Sequence, residues 1–401
     1  MRTTPIAQYT QAHQFEPLLP QKKLDALRER AASLIGASNA LKQTLRPQPQ
    51  ALVHSLVREM NAHYSNAIEG EAASPGEIRD ALRDDYSNDT NTARRQRLAV
   101  AHIAAEFALE RRVAPSASAL SAAVVQHAHE SIYMRLPPEE RRTTEGHCFV
   151  PGCLRDVRVL IGEHEPPPPE ALATFLARFD QVYKKAPTAE DAIIYAAAAH
   201  QRMCWIHPFA DGNGRACRMQ TQFALDRLTS GLWSLSRGLA RHQKAYFSRL
   251  AAADEGRRSD LDGRGNLSEA ALSDWCNWFI DICEEEVACM ARHFERTALG
   301  PRLEALVAAR LAQSQSMTPE AAAVLLHLLI DGPVSRGSVQ QLTGRDEQGA
   351  SALLSCLALT GLISRSDNLD HAYMAIPVDA LDVLLPGLYP AAPTSTCCGQ
   401  P

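Results

Sequence analysis

Twelve residues constrain this chain more than any others: His207-Pro208-Phe209-Ala210-Asp211-Gly212-Asn213-Gly214-Arg215-Ala216-Cys217-Arg218. The apolar pattern before them reads as a helix ending at about Ile206, and Pro208 forces the chain into a loop. Gly212 and Gly214 flank Asn213 and admit backbone conformations closed to other residues. A second helix then runs from Arg215 toward Thr229. Free N–H groups at that new helix start, aided by the helix dipole, make a cradle for phosphate. Arg215 and Arg218 are three apart and so share a helix face. Two guanidinium forks beside an N–H cradle suit a polyphosphate. Asp211 offers a hard oxygen to Mg²⁺ that also coordinates phosphates. His207, at the other end of the loop, is positioned as a general base for an attacking hydroxyl. Singly, such a histidine is usually packed and such a Gly-Asn-Gly is usually a turn. Within twelve residues, every element has a role in one reaction.

The rest of the chain is mainly helical in pattern. Ala and Leu are abundant, and aromatic residues make up only 6%. Helix periods run through residues 21–46, 50–68, 93–112, 118–134, 170–185, 190–206 and 270–296. The balance of 45% apolar to 22% charged residues excludes global disorder. A net charge of −5 argues against a strongly basic nucleic-acid binder. The longest apolar runs are too short to cross a bilayer, and the start, MRTTPIAQYTQ, lacks an apolar signal core, so a cytoplasmic protein is expected. No CxxC pair occurs among the ten cysteines, and no second ligand pair follows His147, Cys148 and Cys153 at zinc spacing. Residues 146–169, GHCFVPGCLRDVRVLIGEHEPPPP, differ in style. A Pro151-Gly152 turn separates two extended candidates, which predicts a lone β-hairpin lying on the helical body. From Thr318 three short helices precede two strand candidates around Ile363 and Ala372, the order of a winged helix-turn-helix.

Residues 207–218 match the signature HPFx[D/E]GNGRxxR, and on this the chain resembles the Fic family, most of whose members transfer AMP from ATP to Ser, Thr or Tyr hydroxyls of proteins. The resemblance extends from about residue 50 to 390. It includes the flap at 152–162, the stretch 237–269 and the C-terminal LPGLYP. It implies a Fic-fold helical bundle with a β-hairpin flap that docks the target, plus a C-terminal winged helix-turn-helix. In this reading His207 is the base, Phe209 anchors the loop and Asp211 holds Mg²⁺. Gly212, Asn213 and Gly214 form the anion hole, and Arg215 and Arg218 grip the β- and γ-phosphates of ATP. Tyr246 and Asp254 fall where relatives contact the nucleoside, and Gly162 of the flap approaches the nucleotide or the target. Ser65-Asn66-Ala67-Ile68-Glu69-Gly70 resembles the family's inhibitory motif in the class that carries it N-terminal to the core. Glu69 would pair with Arg218, occupy the guanidinium meant for the γ-phosphate and brake transfer. In some relatives the same glutamate directs a water that removes AMP. A de-AMPylating hydrolase and a nucleotide-sensing transcriptional or toxin–antitoxin regulator are the alternatives. The intact His207 weighs against pure sensing.

The expected organisation is residues 1–92 as the helical region with the inhibitory helix, 93–300 as the catalytic core with the flap at 146–165, 301–390 as the winged-helix module and 391–401 as a flexible tail. In residues 318–390 three arginines face eight carboxylates, and the supposed recognition helix opens on Asp346-Glu347. That surface would repel DNA phosphates, so a protein-contact role is expected for it. The expected partners are ATP, an unidentified target protein docked on the flap and a second copy of the chain in a homodimer. No membrane partner is expected.

Overall fold

The computed structural model describes residues 8–143, 145–311, 317–365 and 371–390. The expected flexible tail at 391–401 lies outside the described residues. The chain is mostly helical, with sixteen α-helices and one two-stranded sheet among the described residues. None of these helices is long and apolar enough to cross a membrane. Two compact units are present: residues 1–39 with 57–288, and residues 40–56 with 289–401.

The first unit is built from α1 (Leu24–Thr44), α2 (Pro47–Ile68), α3 (Pro75–Ala81), α4 (Thr90–Arg112), α5 (Ala122–Tyr133), α6 (Leu172–Tyr183), α7 (Ala189–Ile206), α8 (Asn213–Leu228), α9 (Leu235–Arg241), α10 (Gln243–Asp254) and α11 (Glu269–His293). The division between the units falls within α1, α2 and α11. Local chemistry sets the helix starts. Asp89 caps α4 by accepting the Thr92 N–H, and Thr188 caps α7 by accepting the Asp191 N–H. Short α3 begins with a reciprocal cap between Ser74 and Glu77 around Pro75, a signal that the periodicity reading passes over. Helix α8 packs on both α5 and α7, and α5 packs on α4. The small run Ala196 to Ala199 is buried on α7, where short side chains allow close helix approach. Trp205, Phe175, Phe179 and Phe209 fill the interior beside the loop between α7 and α8.

The predicted hairpin at 146–165 takes another form. Only isolated bridges occur there, Arg142 with Cys148 and Ile161 with His164, and no strand ladder forms among the described residues. Arg155 is buried and ties the segment to its surroundings through backbone carbonyls. Its Nε donates to the His207 carbonyl at 2.8 Å, Nη1 to that of Val157 at 2.9 Å, and Nη2 to that of Pro167. Pro151 and Pro166 to Pro169 have no N–H to offer a ladder. The segment is therefore an extended loop strapped to the residue that ends α7.

In the second unit, α12 (Arg296–Leu311), α13 (Ala321–Ile330), α14 (Arg336–Thr343) and α15 (Glu347–Leu359) precede β1 (Ile363–Arg365), β2 (Ala372–Met374) and α16 (Val378–Leu384). The strands pair antiparallel, with Ile363 opposite Met374 and Ser364 opposite Tyr373. Helix α12 is absent from the periodicity reading because Gly300-Pro301, normally a breaking pair, lies inside it. Gly344 closes α14 in a left-handed conformation and Asp346 caps α15.

Candidate active site

The loop between α7 and α8 is held rigid from inside. His207 ends α7 with a φ of 50°, an uncommon left-handed conformation for a residue with a side chain. Its N–H still donates to the Met203 carbonyl. Asn213 brackets the loop: its Oδ1 accepts the Phe209 N–H at 2.9 Å and its Nδ2 donates to the Phe209 carbonyl at 2.8 Å. Gly212 has a φ of +74°, and a Cβ there would lie 2.3 Å from the Tyr133 hydroxyl, so only glycine fits. At Gly214 a Cβ would meet the Glu69 carboxylate at 2.5 Å. The two glycines thus admit an aromatic ring and a carboxylate to the start of α8.

A histidine that sequence reasoning did not single out ties this loop to the neighbouring strap. His129 on α5 stacks on the Phe209 ring at 4.0 Å between centroids and 10° between planes. Its Nδ1 accepts the Gly152 N–H at 2.8 Å. That leaves Nε2 as the donor to the Asp211 carbonyl at 3.0 Å. Burial lowers its pKa to about 4, so the ring is neutral and this tautomer holds at neutral pH.

A cavity of about 500 Å³ opens over the loop. Its wall includes His207, Asp211, Gly212, Asn213, Gly214 and Arg218 from the motif, Gly162 from the strap, Tyr246 and Asp254 from α10, and Glu69. Every residue singled out from the sequence as base, brake or nucleotide contact, Arg215 excepted, therefore converges on one space. The Arg215 Nε donates to Asn66 Oδ1 at 2.9 Å, Nη1 to the Tyr133 hydroxyl at 3.1 Å, and Nη2 to Glu71. Expected at the phosphates, it is bonded here to an amide near the end of α2 and to a second carboxylate just beyond that helix. Glu71 lies just beyond the recognised motif, and nothing in the sequence marked it.

Arg218 is buried, with 1% of its side chain exposed, and is engaged through Nε and Nη2. Nε donates to Ser65 Oγ at 3.0 Å, and Nη2 donates to the Ser65 carbonyl at 2.9 Å and to Glu69 Oε1 at 2.6 Å. Burial raises the pKa of the Glu69 carboxyl, but the Arg218 and Arg215 guanidiniums outweigh it and hold the group below the ordinary range. Glu69 is therefore an anion inside the cavity at neutral pH. His207 is pushed down to about 4 by burial and then by the Arg155 charge, so its imidazole is neutral and able to accept a proton. Burial raises Asp211, while its Oδ1 accepts the Gly212 N–H. Tyr246 donates its hydroxyl to His200, and Asp254 Oδ1 accepts from Gln201 at 2.7 Å.

Residues 119–225 match the Fic/DOC family. The chain carries a Fic domain. Curated relatives bear the name protein adenylyltransferase Fic. One from Nematostella vectensis is 38% identical over 74 residues, 18% of this chain and 17% of that protein. One from Aedes aegypti is 24% identical over 256 residues, 64% of this chain and 46% of that protein. The chain thus spans less than half the length of these relatives. Among solved structures, a Fic family protein from Desulfovibrio desulfuricans G20 superposes with a TM-score of 0.50 at 17% identity, covering 92% of this chain and 98% of that one. A Fic domain containing signaling protein from Bacteroides thetaiotaomicron also gives 0.50, over 66% of this chain and 96% of that one at 18% identity. These structures establish the fold. The Fic domain so delimited spans α5 to α7 and most of α8, including His129, His207 and Arg218.

Proposed function

We propose that this chain is an autoinhibited protein adenylyltransferase, transferring AMP from ATP to a hydroxyl of a target protein. One observation carries the reading. His207 borders two spaces at once: the cavity rimmed by the α8 N-terminus, and a second hollow of about 660 Å³ lined by strap residues Asp156 to Ile161. A nucleotide on one side and a target segment on the other would meet at a neutral imidazole. The target hydroxyl oxygen attacks the α-phosphorus, the His207 imidazole takes the hydroxyl proton, and the bond to the β-phosphate breaks with pyrophosphate as leaving group. Catalysis is chiefly positioning and charge stabilisation, with a general base adding about 10²- to 10⁴-fold. The strap's extended backbone, unpaired in a ladder, suits strand-like docking of a target segment.

Asp211 fits a divalent ion. It is a hard oxygen donor on the cavity wall beside the phosphate cradle. Mg²⁺ held there would neutralise phosphate charge.

Inhibition rests on the Glu69–Arg218 pair. A γ-phosphate needs the guanidinium that Glu69 occupies, and an anionic Glu69 repels it as well. The same anion, in one cavity with His207, supports a second reading in which Glu69 directs water onto an AMP-modified target and removes AMP. For the C-terminal unit, the order of three helices and an antiparallel ribbon supports a winged-helix reading, and its acidic balance supports protein contact over DNA.

The test is a label that follows one phosphate. Cell lysate proteins incubated with the Glu69→Gly protein should gain label from ATP marked at the α-phosphate and none from ATP marked at the γ-phosphate. Label from the γ-position alone would make the protein a kinase and sink the proposal.

A further inference from the structure

Behind the cavity, α7 and α8 bring together three soft ligands that the transfer chemistry does not use. His200 and Cys204 are four apart on α7 and so share a face, and Cys217 meets them from α8. One potential ligand atom from each lies within 4.8 Å of the other two. The two sulfurs are 3.6 Å apart. Two thiolates on a tetrahedral Zn²⁺, each at about 2.3 Å, stand roughly 3.8 Å apart, so the pair is already near the required spacing.

The hydrogen bonds around His200 prepare its ring for the same role. The Thr221 hydroxyl donates its proton to the Cys217 carbonyl at 2.8 Å. Toward His200 Nδ1, at 2.9 Å, it therefore acts as acceptor. Nδ1 then carries the ring proton, and the lone pair sits on Nε2, where it now accepts the Tyr246 hydroxyl at 2.9 Å. A ring N–H fixed by an outer partner is the usual support of a metal-bound histidine. His200 and Cys217 are buried, and Cys204 borders the nucleotide cavity.

We infer that His200, Cys204 and Cys217 form a Cys₂His site for Zn²⁺ at the floor of the cavity, with its fourth position open on the side that Cys204 borders. Three protein ligands with one open position is a normal zinc arrangement, and thiolates with imidazole select a soft ion over Mg²⁺. Binding releases the two thiol protons and leaves a site that is neutral overall, since two thiolates balance the dication. To coordinate, Nε2 gives up the Tyr246 hydroxyl. Tyr246 lines the same cavity, so Zn²⁺ and nucleotide oppose one another, a consequence that rests on the nucleotide reading above.

The experiment uses the full-length reduced protein and Co²⁺ as a spectroscopic stand-in, followed by displacement with Zn²⁺. One equivalent should give thiolate-to-cobalt charge transfer in the near ultraviolet and the intense visible bands of tetrahedral Co²⁺. Cys204→Ser and Cys217→Ser should each weaken Zn²⁺ binding by roughly a hundredfold or more. Cys148→Ser and Cys153→Ser, at exposed thiols, should leave it unchanged. Cys204→Ser is the variant at the cavity border and keeps the test valid should Cys217→Ser fail to fold. Equal spectra in all variants, or no thiolate band, would overturn the site whether or not the protein transfers AMP. Nucleotide affinity measured in the Glu69→Gly background should fall on adding one equivalent of Zn²⁺. Unchanged affinity with intact cobalt spectra would overturn the antagonism alone.

Discussion

Two side chains set the behaviour of the site, and both have shifted proton equilibria. His207 has a pKa of about 4, well below the ordinary histidine value. It stays neutral as pH falls from 7 to 5 and is protonated only below that. The Glu69→Gly protein should therefore show a kcat/KM acid limb well below that of an ordinary histidine, because kcat/KM reports the free enzyme's base. Half-loss of kcat/KM at about pH 6.5, the ordinary histidine value, would contradict the environment described for His207. Glu69 pairs with Arg218 at 2.6 Å. A charge-assisted contact of this kind is worth about 1.5–3 kcal/mol. Its removal should tighten productive ATP binding roughly tenfold to a hundredfold, measured by titration calorimetry. In an Arg218→Ala background the same change should bring no further gain, and a persisting gain would show that the brake acts elsewhere. The residues that line the cavity were legible in the sequence where chemistry is packed into a contiguous stretch, as in 207–218 and 65–70. The protein partners of Arg215 were not, because helix spacing says which face a side chain shares and nothing of which partner faces it. Glu71 and Asn66 claim it in three dimensions.

At the scale of elements, the loop between α7 and α8 is held by what surrounds it. His129 joins α5, the strap and the loop through two hydrogen bonds and a stacked ring. His129→Phe keeps the stacking and removes both hydrogen bonds. It should cost about 1–3 kcal/mol of stability and speed amide exchange in the loop around Asp211, as read by thermal melts and hydrogen exchange. Unaltered exchange there would mean that Asn213 alone holds the loop. Helices with strong periods were readable, as were those opened by Thr188 and Asp346. The exceptions have physical causes. Helix α3 is short, α12 contains a Gly-Pro pair, and the strap's hydrogen bonds go to the buried Arg155 and not to a strand. A buried side chain and the prolines together go with a strapped loop, and local pattern records only the prolines.

For the molecule as a whole, the residues proposed to carry transfer all belong to one unit and the acidic helices and ribbon to the other. The grouping of residues 40–56 with 289–401 follows from long-range packing that periodicity along α2 does not register. With eight carboxylates against three arginines over residues 318–390, the full chain should form no salt-resistant complex with genomic DNA fragments in a gel shift. A sequence-specific complex that survives raised salt would reverse that assignment. The central claim, a transfer site with its own brake, is tested most directly by intact-mass spectrometry after incubation with Mg²⁺ and ATP. Wild type, Glu69→Gly and Glu69→Gly with His207→Ala are compared side by side. The account predicts an added AMP mass on Glu69→Gly, little on wild type and none on the double variant. Equal AMP addition to the double variant, or more on wild type than on Glu69→Gly, would contradict it.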